Sequence, residues 1–144
     1  MNNQKKMGNK GFSLVELIVV IAIMAVLVGV LAPQFLRYVE KSRQDGDITS
    51  IQQVMTAINT GISDGVVKGD ITITIKNGNE LEVTGDVGTA FDDSGISKTM
   101  KLKSSGWPNT TIGYSASEAK WDIPSAENTN KPKTNLNVLN PSGQ

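Results

Sequence analysis

The chain contains no cysteine and no histidine. No disulfide can form, so any exported part of it must be held together by packing alone. Losing thiolate and imidazole together removes Cys–His nucleophiles, Ser–His triads and most zinc sites. A Ser–Lys or carboxylate pair would still be chemically possible, but no spacing in the sequence favours either one. Net charge is absent as well, with 14 Lys and Arg against 14 Asp and Glu over 144 residues. The balance hides a split. Residues 1–11 carry Lys5, Lys6 and Lys10 and no acid, so the rest of the chain is formally acidic. The positive charge sits mainly in one short terminal segment, and no basic face for nucleic acid is expected.

What the sequence does have is one long apolar run. Leu17 to Leu36 reads LIVVIAIMAVLVGVLAPQFL, without a charged residue. As a helix rising about 1.5 Å per residue it spans roughly 30 Å, the thickness of a bilayer's hydrocarbon core. It lacks the polar stripe of a helix buried in a soluble protein, and apolar all round means lipid or a fully packed bundle. Lysines precede it and a mixed-charge segment follows (Arg37, Glu40, Lys41, Arg43, Asp45, Asp47). The positive-inside rule then keeps the leader in the cytoplasm and carries the body across. A cleaved secretory signal is the competing reading, with Val30-Leu31-Ala32 as its processing site. Pro33 would then begin the mature chain, a poor substrate for that cleavage, and the run exceeds a signal's usual 7–15 apolar residues.

Glu16 stands at the border of this run, where a carboxylate deeper in the bilayer would cost about 2.5–3.5 kcal/mol or more. It can snorkel to water. Its neighbours suggest more. Lys10-Gly11-Phe12-Ser13-Leu14-Val15-Glu16 resembles the type IV prepilin processing motif, with basic leader, Gly-Phe junction, acidic residue and apolar helix in register. The resemblance implies cleavage between Gly11 and Phe12 by a membrane peptidase and N-methylation of Phe12. It also implies an assembly role for Glu16. Physically, cleavage would put an amine one helical turn from Glu16, at the positive end of the helix dipole. That carboxylate could pair with its own terminus or with a neighbouring subunit's; the resemblance implies the second. Registers that leave the charge unpaired in low dielectric would be disfavoured.

Pro33 removes a helical hydrogen bond and crowds the carbonyl of Gly29. This is either a kink of the kind membrane helices tolerate or, by the resemblance, a place where pilin helices bend and unwind in the filament. Beyond Arg37 the helical signal becomes amphipathic. Ile48, Ile51, Met55, Ile58 and Ile62 recur three and four residues apart with Val54 beside them, a stripe expected to pack on the chain's own sheet. Gly46 reads as a weak spot, and Gly61 and Gly65 as stop signals. The helix is expected from about Ser13 to Ser63.

Residues 70–76 and 80–84 alternate apolar and polar about Asn77-Gly78-Asn79, a β-hairpin. Residues 85–95 read as a loop with Phe91 buried, and 111–115 and 120–123 as short strands. Asp92-Asp93-Ser94-Gly95 reads as an acidic turn in preference to a calcium loop, Asn109-Thr110-Thr111 as a weak glycosylation sequon, and Trp107 and Trp121 as packing residues. The expectation is α+β, in the element order of the type IV pilin fold: a long N-terminal helix on a small antiparallel sheet. The expected divisions are a leader at 1–11, a membrane and filament-core helix at 12–37, a headgroup at 38–127, and an extended polar tail at 128–144 with at most one docked segment.

Two functions follow from the resemblance. One is a type IV pilus subunit for adhesion, motility or aggregation; the other is a pseudopilin of a type II secretion or DNA-uptake machine. The chain lacks the disulfide loop usual in Gram-negative pilins, though pilins of Gram-positive bacteria often lack one. It also lacks the Tyr-Pro motif usual in major type II pseudopilins. These points favour the pilus subunit. A membrane-tethered enzyme is the reading from another class, and no catalytic constellation supports it. Implied partners are further copies of the chain and other pilin-like subunits, a prepilin peptidase and methyltransferase, and an assembly platform with its ATPase. No cofactor or metal is expected. The precursor would lie in the cytoplasmic membrane, crossing once with its N-terminus inside, and the assembled form would be an extracellular pilus or a pseudopilus.

Overall fold

In a computed structural model the described residues are 11–140; residues 1–10, which hold most of the leader expected at 1–11, and the last four residues lie outside them. The chain divides into two compact units, Met1–Leu36 and Arg37–Gln144. One helix, α1 (Leu14–Ser63), contributes to both. Its first part is long and apolar enough to cross a bilayer, and every residue from Leu14 to Leu36 is exposed. The helical assignment continues through Gly29 and Pro33.

From Arg37 onward the helix joins a globular head. The expected stripe is there: Ile51, Val54 and Ile58 have no exposed surface, Ile48 and Met55 little, and Ile62 is half-buried. The helix ends at Gly65, whose φ of 73° suits glycine. Gly65 N donates to the Ile62 carbonyl and Val66 N to that of Gly61, a Schellman closure. Gly61 has a different task from the stop signal expected of it. A Cβ there would come within 2.6 Å of Ala90 Cβ and 2.8 Å of a Val67 methyl, so the glycine permits close approach of the next elements.

Among the described residues the sheet has order β3-β2-β1-β4-β5, with every neighbouring pair antiparallel. The strands are β1 (Ile71–Lys76), β2 (Glu80–Thr84), β3 (Thr99–Lys101), β4 (Thr110–Ser115) and β5 (Lys120–Asp122). Period two sends Ile71, Ile73, Ile75, Leu81, Val83, Ile112 and Tyr114 inward to meet the helix stripe. Fully burying each of the larger ones stabilises the fold by about 1.5–3 kcal/mol before entropy is counted. Trp107 is part of this core, while half-buried Trp121 stacks on Tyr114 and donates its Nε1–H to Asn59 Oδ1 at 3.0 Å.

The structure departs from the sequence reading in several places. Residues expected as loop contain a helical turn, α2 (Ala90–Ser94), closed by Gly95 with φ of 65°. Phe91 buries under it as expected, and Asp92 and Asp93 point to solvent from a helix where a turn was anticipated. Strand β3 was missed because three residues cannot display an alternation. The segment after Asn128 is much less of an extended tail than its composition suggests. Asn128 N donates to the Thr134 carbonyl, Glu127 bridges Asn135, and a 3₁₀ turn at Leu136–Leu139 buries both leucines.

Candidate functional sites at the amino-terminal junction and in the head

Among the described residues nothing is packed around the Gly11–Phe12 junction. Phe12 is 93% exposed, and a Cβ on Gly11 would meet no atom within 4 Å. The fold therefore makes no demand for glycine at this position. Gly29 is equally unconstrained by the chain around it. Ser13 precedes the first helical residue, and its N–H donates to Glu16 Oε2 at 2.8 Å, while Leu17 N donates to the Ser13 carbonyl at 3.2 Å. Ser-x-x-Glu is thus acting as half of a capping box, Glu16 reaching back to an orphan N–H. The sequence carried this signal, and the reading of Glu16 as an interfacial or assembly carboxylate passed over it. The carboxylate is solvent-exposed and already committed to its own helix start.

The head holds a carboxylate of the opposite kind. Asp47 is 1% exposed. Its Oδ1 accepts from Lys103 N at 2.6 Å, and its Oδ2 accepts from Ser104 N and from Trp107 Nε1, both at 2.9 Å. The hairpin turn presses on the same loop. Asn77 and Gly78 both have positive φ, as a type I′ turn requires, and Asn79 N donates to the Lys76 carbonyl to close it inside a three-residue loop. Trp107 N donates to the Gly78 carbonyl and Leu102 N to that of Asn79. A Cβ on Gly78 would collide with the Ser105 carbonyl. One turn and two turns before Asp47, Gln44 and Glu40 hold the C-terminal segment. Gln44 is fully buried, donating to the Asn130 carbonyl at 3.1 Å and accepting from Thr134 Oγ1 at 2.7 Å. Glu40 Oε1 accepts from Ser104 Oγ at 2.6 Å and Asn130 Nδ2 at 3.1 Å.

Burial alone would raise the Glu40 carboxyl above its ordinary value. The hydrogen bonds from Ser104, Asn130 and Gln44, with the nearby Arg43 guanidinium, together outweigh it, so the net displacement is downward. Gly46, expected to weaken the helix, lies under the Lys103 side chain, whose Nζ would stand 3.2 Å from a Cβ there. This network escaped the sequence reading, although Gln44 and Asp47 continue the spacing of the buried stripe upstream. Polar residues at stripe positions were the available signal. No group of three or more Asp, Glu, His or Cys side chains is placed to hold a metal ion among the described residues.

An exposed apolar helix segment in one unit, and in the other an amphipathic helix packed on an antiparallel sheet, define an α+β class of protein with one membrane-length apolar helix. The comparisons agree on the lineage. The prokaryotic N-terminal methylation motif matches residues 6–32. Type IV major fimbrial protein FimA of Dichelobacter nodosus is 34% identical over 80 residues, 56% of this chain and 51% of that protein. A second FimA from the same organism is 33% identical over 101 residues, 66% of this chain and 65% of that protein. Prepilin peptidase-dependent protein A of Clostridium perfringens is 30% identical over 104 residues, 70% of this chain and 71% of that protein. The match covers about half the length of the first of these relatives. No solved structure gives a significant match. The chain belongs to the type IV pilin-like family, a family of structural, non-enzymatic subunits.

Proposed function

We propose that this chain is the precursor of a type IV pilus subunit, anchored in the cytoplasmic membrane by α1, cut between Gly11 and Phe12, N-methylated on Phe12 and polymerised with other copies. The carrying observation is the helix surface from Leu14 to Leu36. It is apolar on nearly every side, and every residue of it is exposed. A monomer does not leave so large an apolar surface bare to water. Lipid covers it before assembly, and the same surface packs against neighbouring copies afterwards.

Gly11 fits this reading because its glycine answers no need of the fold; the requirement comes from the peptidase that cuts beside it. Glu16 then has two successive uses. In the precursor it caps the helix through Ser13 N. After cleavage the new Phe12 amine offers a stronger, charged partner, and in the filament that partner belongs to the adjacent copy. Gly29 and Pro33 supply the place where the helix bends. Residues 12–37 form the filament core, and 38–127 with the docked part of the segment beyond form the head. A prepilin peptidase and methyltransferase act on the leader, and a platform protein with its ATPase drives extrusion. The fimbrial names of the relatives favour a pilus over a pseudopilus, with adhesion, motility or aggregation as its use.

Intact mass and amino-terminal sequencing of the chain from its native membrane test the processing step. The expected terminus is N-methyl-Phe12; an uncut leader would reject the proposal. Glu16→Val should be cut and inserted but yield at least about tenfold fewer filaments, and normal yield would remove the assembly role from Glu16.

A further inference from the structure

Just past the apolar run the sequence mixes signs, with Arg37, Glu40, Lys41, Arg43, Asp45 and Asp47. The fold sorts them. Asp47 is buried on the Lys103, Ser104 and Trp107 donors, and Glu40 is turned onto Ser104, Asn130 and Gln44. The cations stay outside: Arg37, Lys41 and Arg43 are exposed on the helix. Two chain segments docked on these same carboxylates add more. Lys103 lies over Gly46, and Lys131 follows Asn130, which donates to Glu40. Both lysines are exposed. Arg43 keeps a 3.7 Å contact with Glu40, and Asp45 is the exposed carboxylate on this stretch. The result is a basic collar around the first three turns of the head's helix.

We infer that this collar binds the anionic headgroups of the membrane surface while the subunit is still a precursor, holding the head against the bilayer. The inference rests on the membrane-anchored reading of α1. Arg37 directly follows the last residue of the run. From there to Gly46, under Lys103, the helix rises about 13 Å. The polar layer outside the hydrocarbon core is roughly 5–7 Å deep on each side, and the Debye length adds about 8 Å at physiological salt. The whole collar therefore falls where headgroup phosphates attract Lys and Arg. Extraction into a filament must break these contacts, so the collar adds to the hold that α1 already has on the membrane.

The test uses the full chain reconstituted in phosphatidylcholine bilayers, with spin-labelled phosphatidylglycerol or phosphatidylcholine as probe. The association constant for the anionic lipid should exceed that for the zwitterionic one at least about twofold at low salt. It should fall to parity near 1 M salt, where the Debye length is about 3 Å. Arg37→Gln/Lys41→Gln/Lys131→Gln should abolish the preference. Lys68→Gln/Lys98→Gln/Lys120→Gln, which removes the same charge elsewhere on the head, should retain it. Equal association of both lipids with a chain that resists alkaline carbonate overturns the collar. So does a preference that survives the collar variant. A collar variant with unaltered lipid preference but defective polymerisation would give those cations to an acidic surface of a second copy. A chain that carbonate strips from the bilayer refutes the anchor itself, and this inference with it.

Discussion

Leu14 to Leu36 and Ile48 to Ile62 are stretches of one helix that share branched apolar residues, yet every residue in the first is exposed while the second buries Ile51, Val54 and Ile58 completely. What differs is where the apolar residues fall: nearly everywhere in the first, and on one face in the second, with Thr, Ser, Gln and Asn interleaved on the other. Apolar residues three and four apart require a partner on one side, and the chain's own sheet supplies it. Apolar residues all round require partners on every side, and no single chain can supply those. The two carboxylates repeat the contrast. Asp47 is enclosed by donors of its own head, whereas Glu16 is exposed and accepts from one backbone N–H. On the proposed reading the first region answers to lipid and other copies; the second packs on its own sheet.

The largest test of that contrast is Asp47→Ala against Glu16→Val. Asp47→Ala strips acceptors from two backbone N–H groups and the Trp107 indole. Each buried donor left unpaired costs about 1–3 kcal/mol. The head should lose roughly 3–5 kcal/mol in urea titrations of the detergent-held chain followed by tryptophan signals. Glu16→Val should leave the same curve within about 0.5 kcal/mol. Equal losses from both would erase the distinction.

Next in size, Ile51→Ala should cost about 2–5 kcal/mol by opening a cavity, and Val20→Ala less than about 0.5 by the same measurement. The glycines sharpen the comparison further. Gly78→Ala forces a side chain into a positive-φ turn against the Ser105 carbonyl and should cost about 2 kcal/mol. Gly29→Ala meets nothing in the chain and should leave the head unchanged, with any defect appearing only as fewer filaments.

How much of this was legible beforehand follows the same line. The helix, the β1–β2 hairpin and β4 announce themselves through regular periods, and so does the inward stripe from Ile48; β5, at the sheet edge, reads as the partner strand across the turn at residues 116–119. The junction residues Gly11, Phe12 and Glu16 are recognisable by motif, although the capping bond from Ser13 needed geometry. What escaped the reading was whatever depends on distant segments meeting. Asp47 looked like one of several surface charges because its donors lie more than fifty residues away in the chain. The polar composition of 128–140 suggested a loose end because nothing local reveals that Gln44 and Glu40 wait for Asn130 and Thr134. Strand β3 is too short to have a pattern.

The smallest effect is a pH dependence confined to the second region. Glu40 is held below its ordinary value of 4.5 in the folded head. A carboxyl more acidic when folded than when unfolded binds fewer protons in the native state, so protons added below pH 4.5 favour the unfolded chain. Its contribution to stability is full above that pH and disappears as the pH falls through the lower native value. Other carboxylates titrate nearby, so the informative quantity is a difference. Urea midpoints of the native chain should drop more steeply below pH 4.5 than those of Glu40→Gln, the two curves converging at the acid end. Loss of the Asn130 and Ser104 contacts should appear in the same window as faster amide exchange in the 128–134 segment, while Leu14 to Leu36 shows no such change. Parallel curves for the two proteins would mean that Glu40 holds that segment by shape alone, with its charge contributing nothing.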